Sequence, residues 1–514
     1  MTNAWETIIG LEIHAQLSTE SKIFCGCSTR FGDDPNENTC PVCLGLPGAL
    51  PVLNRRVIEL GARAALSLGL KINNQSIFSR KNYFYPDLPK GYQISQYDRP
   101  FSANGELEIM TAERDEAGHP VEWRVKKIAI TRLHLEEDAG KNVHEGLPDV
   151  DRYSYIDLNR AGTPLAEIVT EPDFRSSWEA YDYVNHVRRA LQWVGASEAD
   201  MEKGNLRCEA NVSVRRIGDE KFGTKVELKN LNSVRFMQRA IEFEISRQIS
   251  VLESGGRLQQ ETRLWDERAA ETRVMRSKEE AHDYRYFPEP DLPPLIVADE
   301  FIERVREAMP ELAAATAQRF MNDYGISYED ALQFTATHKT AADFEKLAKV
   351  LGGREASKWM KEVVLRQVIR PTSIPSAEAL GTPTAVQVVP PTAELSLESF
   401  PPAILIDEVI KVDEMVAAGK INRNQAKEIL EEVGLTRKSA EQIVGERGFR
   451  QISDEGAIDD LIDEVIRNSP RQLESYRSGK ETLFGFFVGQ VMKASKGKAN
   501  PKVVNELLKA KLKG

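Results

Sequence analysis

Ile8-Ile9-Gly10-Leu11-Glu12-Ile13-His14-Ala15-Gln16-Leu17 alternates apolar and polar side chains with the two-residue period of a β-strand. Leu11, Ile13, Ala15 and Leu17 fall on one face, and Glu12, His14 and Gln16 on the other. A carboxylate and an imidazole two residues apart on an extended backbone point the same way. Their Cβ atoms are roughly 7 Å apart, twice the rise per residue, and a divalent cation fits between them. A half-solvated strand with an incidental histidine would read the same, so the weight of the reading rests on whether polar-faced strands recur.

They do. Residues from Arg124 to Asp138 are extended, with Ile128 and Ile130 opening a strand that ends in Glu136-Glu137-Asp138. Three adjacent carboxylates repel unless a cation or a basic side chain compensates them, although a solvated turn carries such a run as well. Tyr155 to Val169 reads as two strands around Gly162-Thr163-Pro164, with Glu167 a lone charge in an apolar run. An unpaired carboxylate there is costly, so Glu167 needs a partner or a cleft. The cleanest hairpin sets Arg207, Glu209, Asn211 and Ser213 against a return strand bearing Lys225, Glu227 and Lys229. Cross-strand ion pairs on a solvated sheet explain a face of both signs. So does a phosphate-bearing, metal-bound substrate, whose phosphates need bases and whose Mg²⁺ needs acids.

Between and beyond these strands the pattern changes. Asn54 to Gly69 reads as an Asn-capped helix stopped by glycine, and Ser177 to Gly195 and Ser233 to Gly255 as two more. Arg80 to Gln93 mixes aromatics, prolines and charges without a period, which reads as an ordered loop lining a site or lidding a core. From Asp299 to Arg370 the pattern is helical throughout. Pro371 to Pro402 then carries seven prolines and few charges, a linker or extended wrap, and Ile404 to the end is helical again. The expected class is α+β: a mainly antiparallel sheet domain over 1–294, an all-α domain over 295–370, a Pro-rich linker over 371–402 and a small all-α tail over 403–514.

The 514-residue chain, 41% hydrophobic and 29% charged, has length for more than one core. No apolar run reaches the ~18 to 20 residues of a membrane span, and Met1 to Glu6 lacks signal-peptide character, so a cytoplasmic protein is expected. Cys25-Gly26-Cys27 and Cys40-Pro41-Val42-Cys43 are two short-spaced pairs, which in a reducing compartment read as a four-thiolate Zn²⁺ site with a structural role. Cys208 reads as a small core residue. The net charge of −11 excludes a uniformly basic coat, yet nine Lys or Arg against Glu481 and Glu506 leave +7 between Ser475 and Gly514. There Lys493, Lys496, Lys498 and Lys502 line a basic turn between two helices, a candidate polyanion contact or a merely solvated turn. The P-loop, dinucleotide, nucleophile-elbow and zincin motifs are all absent.

Gly10-Leu11-Glu12-Ile13-His14, Arg80 to Asp87, Leu133 to Lys141, Asp157-Leu158-Asn159-Arg160, Glu227 to Ser233 and Asp283 to Asp291 together resemble the B subunits of the glutamyl/aspartyl-tRNA amidotransferases, and the likeness spans essentially the whole chain. The resemblance implies a cradle-shaped catalytic domain that binds ATP and Mg²⁺, a helical domain and a tail that grips tRNA. The partners it implies are the amidase, or A, subunit of a heterotrimer, its small C subunit, and mischarged tRNA. The side-chain carboxylate of Glu-tRNA(Gln) or Asp-tRNA(Asn) is activated as an acyl phosphate, and ammonia from glutamine displaces phosphate. The family's metal site matches His14, Glu137 and Glu167, with Glu12 and Glu136 adjacent; which acid of Glu136-Glu137-Asp138 binds the ion stays open. Arg207, Lys225 and Lys229 are candidates to steady transferred charge, and Glu209 shares their face. All four cysteines, which some members lack, are present, and the Pro-rich stretch is longer than is usual for the family. A non-catalytic tRNA-binding scaffold is the competing reading, and the archaeal glutamate-only relative fits less well.

Overall fold

The computed structural model describes residues 4–115, 117–143, 148–149, 152–277, 284–365, 406–447, 455–495, 499 and 501–512. The chain forms two compact units, residues 1–314 and 315–514. The first is organised on a nine-stranded sheet, whose strands we number β1 (Trp5–Gln16), β2 (Lys71–Ile72), β3 (Ser102–Arg114), β4 (Pro120–Glu137), β5 (Pro164–Thr170), β6 (Leu206–Arg216), β7 (Val226–Lys229), β8 (Glu261–Asp266) and β9 (Glu271–Ser277). In space they run β9-β8-β7-β6-β1-β5-β4-β3-β2, so the opening stretch lies at the centre. Within this sheet only the β7–β8 pairing is parallel.

Alternation in sequence becomes two unlike faces. Leu11, Ile13 and Ala15 join Leu133, Leu135, Ala166, Ile168, Cys208 and Ala210 in a buried apolar surface. Helices α1 (Arg55–Ser67), α2 (Ser177–Trp193) and α3 (Val234–Glu253) belong to this unit. Met237 of α3 brings its Sδ to 3.4 Å from Cys208 Sγ. A Cβ on Gly61 of α1 would stand 3.0 Å from Leu135 Cδ2, a tight contact that Leu135 would have to yield to. The three helices begin as their capping residues dictate. Asn54 accepts from the backbone of Arg56, Ser176 from Glu179 and Ser233 from Phe236, each satisfying a donor with no partner inside its helix.

Two local expectations are corrected. Arg80, Lys81 and Asn82 are not loop but the end of the strand Phe78–Asn82, and Tyr92 and Gln93 open its antiparallel partner Tyr92–Gln96, leaving only 83–91 as the connection. Aromatic and charged side chains masked the alternation because both faces of this pair are partly covered. Tyr155–Asp157 is a strand, but it pairs with Lys141–Val143 and not with β5 across the Gly162 turn. Cross-strand partners depend on distant residues, which local periodicity does not reveal.

Among the described residues, every named element of the second unit is a helix, joined by short turns. Phe320, Phe334 and Phe344 form one aromatic cluster, and fully buried Trp359 sits beneath the Arg423 guanidinium, 3.6 Å from it. Toward the end of the chain, Ile458, Ile462, Phe487, Val491, Val504 and Leu508 close a separate small core. The α+β class follows from these two units together.

Candidate active site

The polar face of the sheet gathers a compact set of titratable groups. Arg207, His14, Glu167 and His134 fall in register across β6, β1, β5 and β4. Residues directly opposite in an antiparallel ladder point to the same side, so the row converges on one face. His14 Nε2 lies 3.2 Å from Glu167 Oε2, and 3.6 Å from both Glu12 Oε1 and Glu136 Oε1. His134 Nε2 lies 3.0 Å from the same Glu167 oxygen and 3.4 Å from Glu136 Oε2. Glu12, His14 and Glu167 offer ligand atoms all within 4.8 Å of one another, and His134, Glu136 and Glu167 do the same. Two imidazole nitrogens and several carboxylate oxygens at that spacing are a donor set that fits a divalent cation.

Charge coupling within the cluster is strong. Burial and the neighbouring Glu167 carboxylate push Glu12 up to about 7. For His134 burial works against the charged form, but Glu167 and Glu136 outweigh it and hold the imidazole up to about 9. His14 is raised in the same way, against burial, chiefly by its hydrogen bond to Glu167. Burial opposes ionisation of Glu167 too, yet the two histidines keep it well below the usual carboxylate range. The cluster is therefore an array of shared protons and charges that a cation can replace.

Basic groups frame it. Arg207 Nη2 lies 2.8 Å from Asp138 Oδ1, and Gln16 Nε2 donates to Asp138 Oδ2 at 3.1 Å. Lys229 pairs with Glu209 and stands 3.6 Å from Glu227. Lys225 is exposed just ahead of β7, apart from the cluster. Lys81 is raised, against burial, by Glu136, Tyr286 and Glu167, and its ammonium lies 5.0 Å from the Tyr284 ring. Tyr286 stacks on Tyr97 with ring centroids 4.2 Å apart.

The expected residues are thus divided by the structure. Glu12, His14, Glu136 and Glu167 come together, with Arg207, Glu209 and Lys229 on the strands beside them. Glu137 lies on the other side of β4, where its carboxylate meets Lys90 and the backbone N–H of Ile94 and lines a cavity of about 130 Å³ with Cys25 and Cys43. Adjacent residues of a strand face opposite ways, so Glu136 and Glu137 cannot share a face. His134 and Lys81 were not anticipated. His134-x-Glu136 repeats on β4 the spacing of Glu12-x-His14 on β1, and that repetition was the available signal. Of the basic turn, Lys493 lies in the last turn of the helix Phe484–Ala494. Lys496 and Lys498 lie outside the described residues, as does the Pro371 to Pro402 stretch, while Lys502 falls within the helix Pro501–Leu512.

The four cysteines meet as their spacing requires: Cys25, Cys27, Cys40 and Cys43 bring their sulfurs within 4.8 Å of one another. The Cys40 N–H donates to Cys43 Sγ at 3.1 Å. Hydrogen bonding from Cys25 draws the Cys43 thiol well below its ordinary value. Four converging sulfurs fit a tetrahedral Zn²⁺. Among the described residues no helix is long and apolar enough to cross a membrane.

Comparison with known proteins places this geometry in a family. Residues 7–303 match the GatB/GatE catalytic domain and residues 392–512 the GatB domain. The B subunit of the aspartyl/glutamyl-tRNA(Asn/Gln) amidotransferase of Thermodesulfovibrio yellowstonii is 48% identical over 98% of both chains. Its counterparts in Persephonella marina and Geobacter sulfurreducens are 46% and 48% identical, each over 99% of this chain and 100% of the relative. With the catalytic-domain match covering the whole polar sheet face and the relatives aligned almost end to end, the chain belongs to the family of aspartyl/glutamyl-tRNA(Asn/Gln) amidotransferase B subunits.

Proposed function

We propose that the chain is the ATP-dependent kinase and amidation component of a cytoplasmic, heterotrimeric tRNA-dependent amidotransferase, working with an amidase (the A subunit) and a small C subunit. The observation that carries this reading is the cluster of two histidines and three glutamates on the polar sheet face, flanked by Arg207, Lys229 and Lys81. Glu12, His14, Glu136 and Glu167 would hold Mg²⁺, which supplies charge neutralisation for the phosphates of ATP.

A free carboxylate resists nucleophiles because of its charge and has no good leaving group. One carboxylate oxygen of the glutamyl or aspartyl side chain attacks the γ-phosphorus, the bond to the bridging oxygen breaks, and ADP leaves. Ammonia then adds to the acyl carbon, phosphate leaves with the C–O bonding pair, and a proton is lost from nitrogen to give the amide. The chain's own contribution is positioning and electrostatics. Lys81, Arg207 and Lys229 would bind the transferred phosphoryl oxygens, with Asp138 and Glu209, their ion-pair partners, orienting the latter two. The residues of 1–294 would form the catalytic domain, 295–370 a helical domain, 371–402 a Pro-rich linker, and 403–514 a tRNA-binding tail in which Lys493, Lys496, Lys498 and Lys502 contact phosphates.

Reconstitution with A and C subunits, ATP, glutamine and each mischarged tRNA tests the reading. ATP consumption should require mischarged tRNA. A scaffold protein would bind tRNA without phosphorylating it, and comparison of Glu-tRNA(Gln) with Asp-tRNA(Asn) identifies the substrate.

A further inference from the structure

Lys22 is a fully buried lysine three residues before Cys25, the first of the cysteine pairs. Its ammonium has three partners: the Asn38 carbonyl at 2.7 Å, the Leu158 carbonyl at 3.3 Å and Cys43 Sγ at 3.7 Å. Two of these belong to the cysteine loop, and the third to the segment that leads into β5 and Glu167. A buried ammonium without a counter-charge is expensive, and the two carbonyls are neutral dipoles. Zinc bound by four thiolates carries surplus negative charge at the sulfurs, so Lys22 and the cysteine site compensate one another.

The same loop is fastened to the same segment elsewhere. Asn36 donates its backbone N–H to Asp157 Oδ1 and its side-chain amide to the Ile156 carbonyl, and accepts from Leu158 N at 2.8 Å. Asn38 N donates to Asn159 Oδ1, and Asn159 Nδ2 donates to the Asp34 carbonyl. Next to Lys22, Ile23 N donates to the Gly162 carbonyl at 3.0 Å, and Gly162 N donates to the Asp138 carbonyl at 2.8 Å. Asp138 is the residue that holds Arg207, and Arg160 of the same segment grips the carbonyls of Ala139 and Gly140.

We propose that the cysteine site is a positioning device for the sheet face: Lys22 joins the zinc thiolates to the 156–163 segment, and that segment fixes Asp138 and Arg160 beside the histidine–glutamate cluster. Lys22 is a positioning residue in this account, since it touches neither cluster nor substrate. The proposal rests on zinc occupying the four cysteines.

The test uses the full chain in three forms: zinc-loaded wild type, zinc-stripped wild type and zinc-loaded Lys22→Met, with zinc content measured first. Lys22→Met should release zinc to a chromogenic chelator about tenfold or more faster than wild type, as loss of a partner behind the ligands predicts. Hydrogen exchange followed by mass spectrometry should show amides of 156–163 losing protection in the stripped wild type and in the variant, while those of α3 stay protected. The stripped wild type carries the test even if the variant folds poorly. Lost protection confined to 24–44 would overturn the coupling, as would a variant matching wild type in both zinc release and exchange. Wild type with no zinc and four free thiols would instead remove the zinc assignment on which the coupling depends.

Discussion

Glu167 is the residue on which the polar face turns, because one of its oxygens serves both His14 and His134. In the ion-free protein His134 is held up to about 9, well above the ordinary imidazole value of ~6.5, so it carries its proton at neutral pH. His134 therefore contributes stability to the ion-free fold that is fully present below about pH 6.5, while Glu167 stays ionised, and is lost as pH rises through about 9. A divalent ion taken by the cluster must displace such protons. We expect Mg²⁺ or Mn²⁺ affinity to rise with pH between about 6.5 and 9, with roughly one proton released per ion at pH 7. Calorimetry in two buffers of different ionisation enthalpy reads this directly, and a pH-independent affinity with no proton release would place the ion elsewhere. At this scale part was legible: Glu12 and His14 follow from alternation, and Glu167 from a charge stranded in an apolar run. His134 sits just ahead of the acidic run Glu136-Glu137-Asp138, whose like charges dominate the local pattern. The choice between Glu136 and Glu137 needed the strand's facing, which depends on its neighbours in the sheet.

Among the elements, α1 and the cysteine loop share an anchor in Asn54. Its side chain caps the helix by accepting from Arg56 N at 2.9 Å, and its amide donates to Ser21 and Lys22 at 3.1 to 3.3 Å. Asn54→Ala removes both roles, so we expect a loss of about 1–2 kcal/mol in denaturant unfolding of the first unit, more than an isolated exposed cap provides. A change below about 0.5 kcal/mol would mean that water replaces these bonds without penalty. The helix itself was plain in the sequence, because its cap, apolar stripe and glycine stop are all local. The pair Phe78–Asn82 and Tyr92–Gln96 was not, since its pairing shows only once the chain has closed on itself. The cysteine spacing was sufficient to bring four sulfurs together. Metal analysis of protein purified without chelator should return about one zinc per chain, and four free thiols with no zinc would refute the assignment.

For the whole molecule, charge is divided unevenly: −11 overall, but +7 from Ser475 to the end. Replacing Lys496, Lys498 and Lys502 together by alanine should raise the KM for mischarged tRNA and flatten its salt dependence by up to about three units of log–log slope, leaving the rate at saturating tRNA far less changed. An unaltered KM and slope would mean that other surfaces hold the tRNA. The central claim, that the histidine–glutamate face performs the phosphorylation, is tested most directly with γ-labelled ATP in the reconstituted complex, comparing wild type with His14→Ala and Glu167→Gln. The account predicts phosphate release only when mischarged tRNA is present, lost by at least about a hundredfold in both variants while tRNA affinity stays within about twofold. Phosphate release at the wild-type rate in either variant, with the chain folded and tRNA bound, would contradict it.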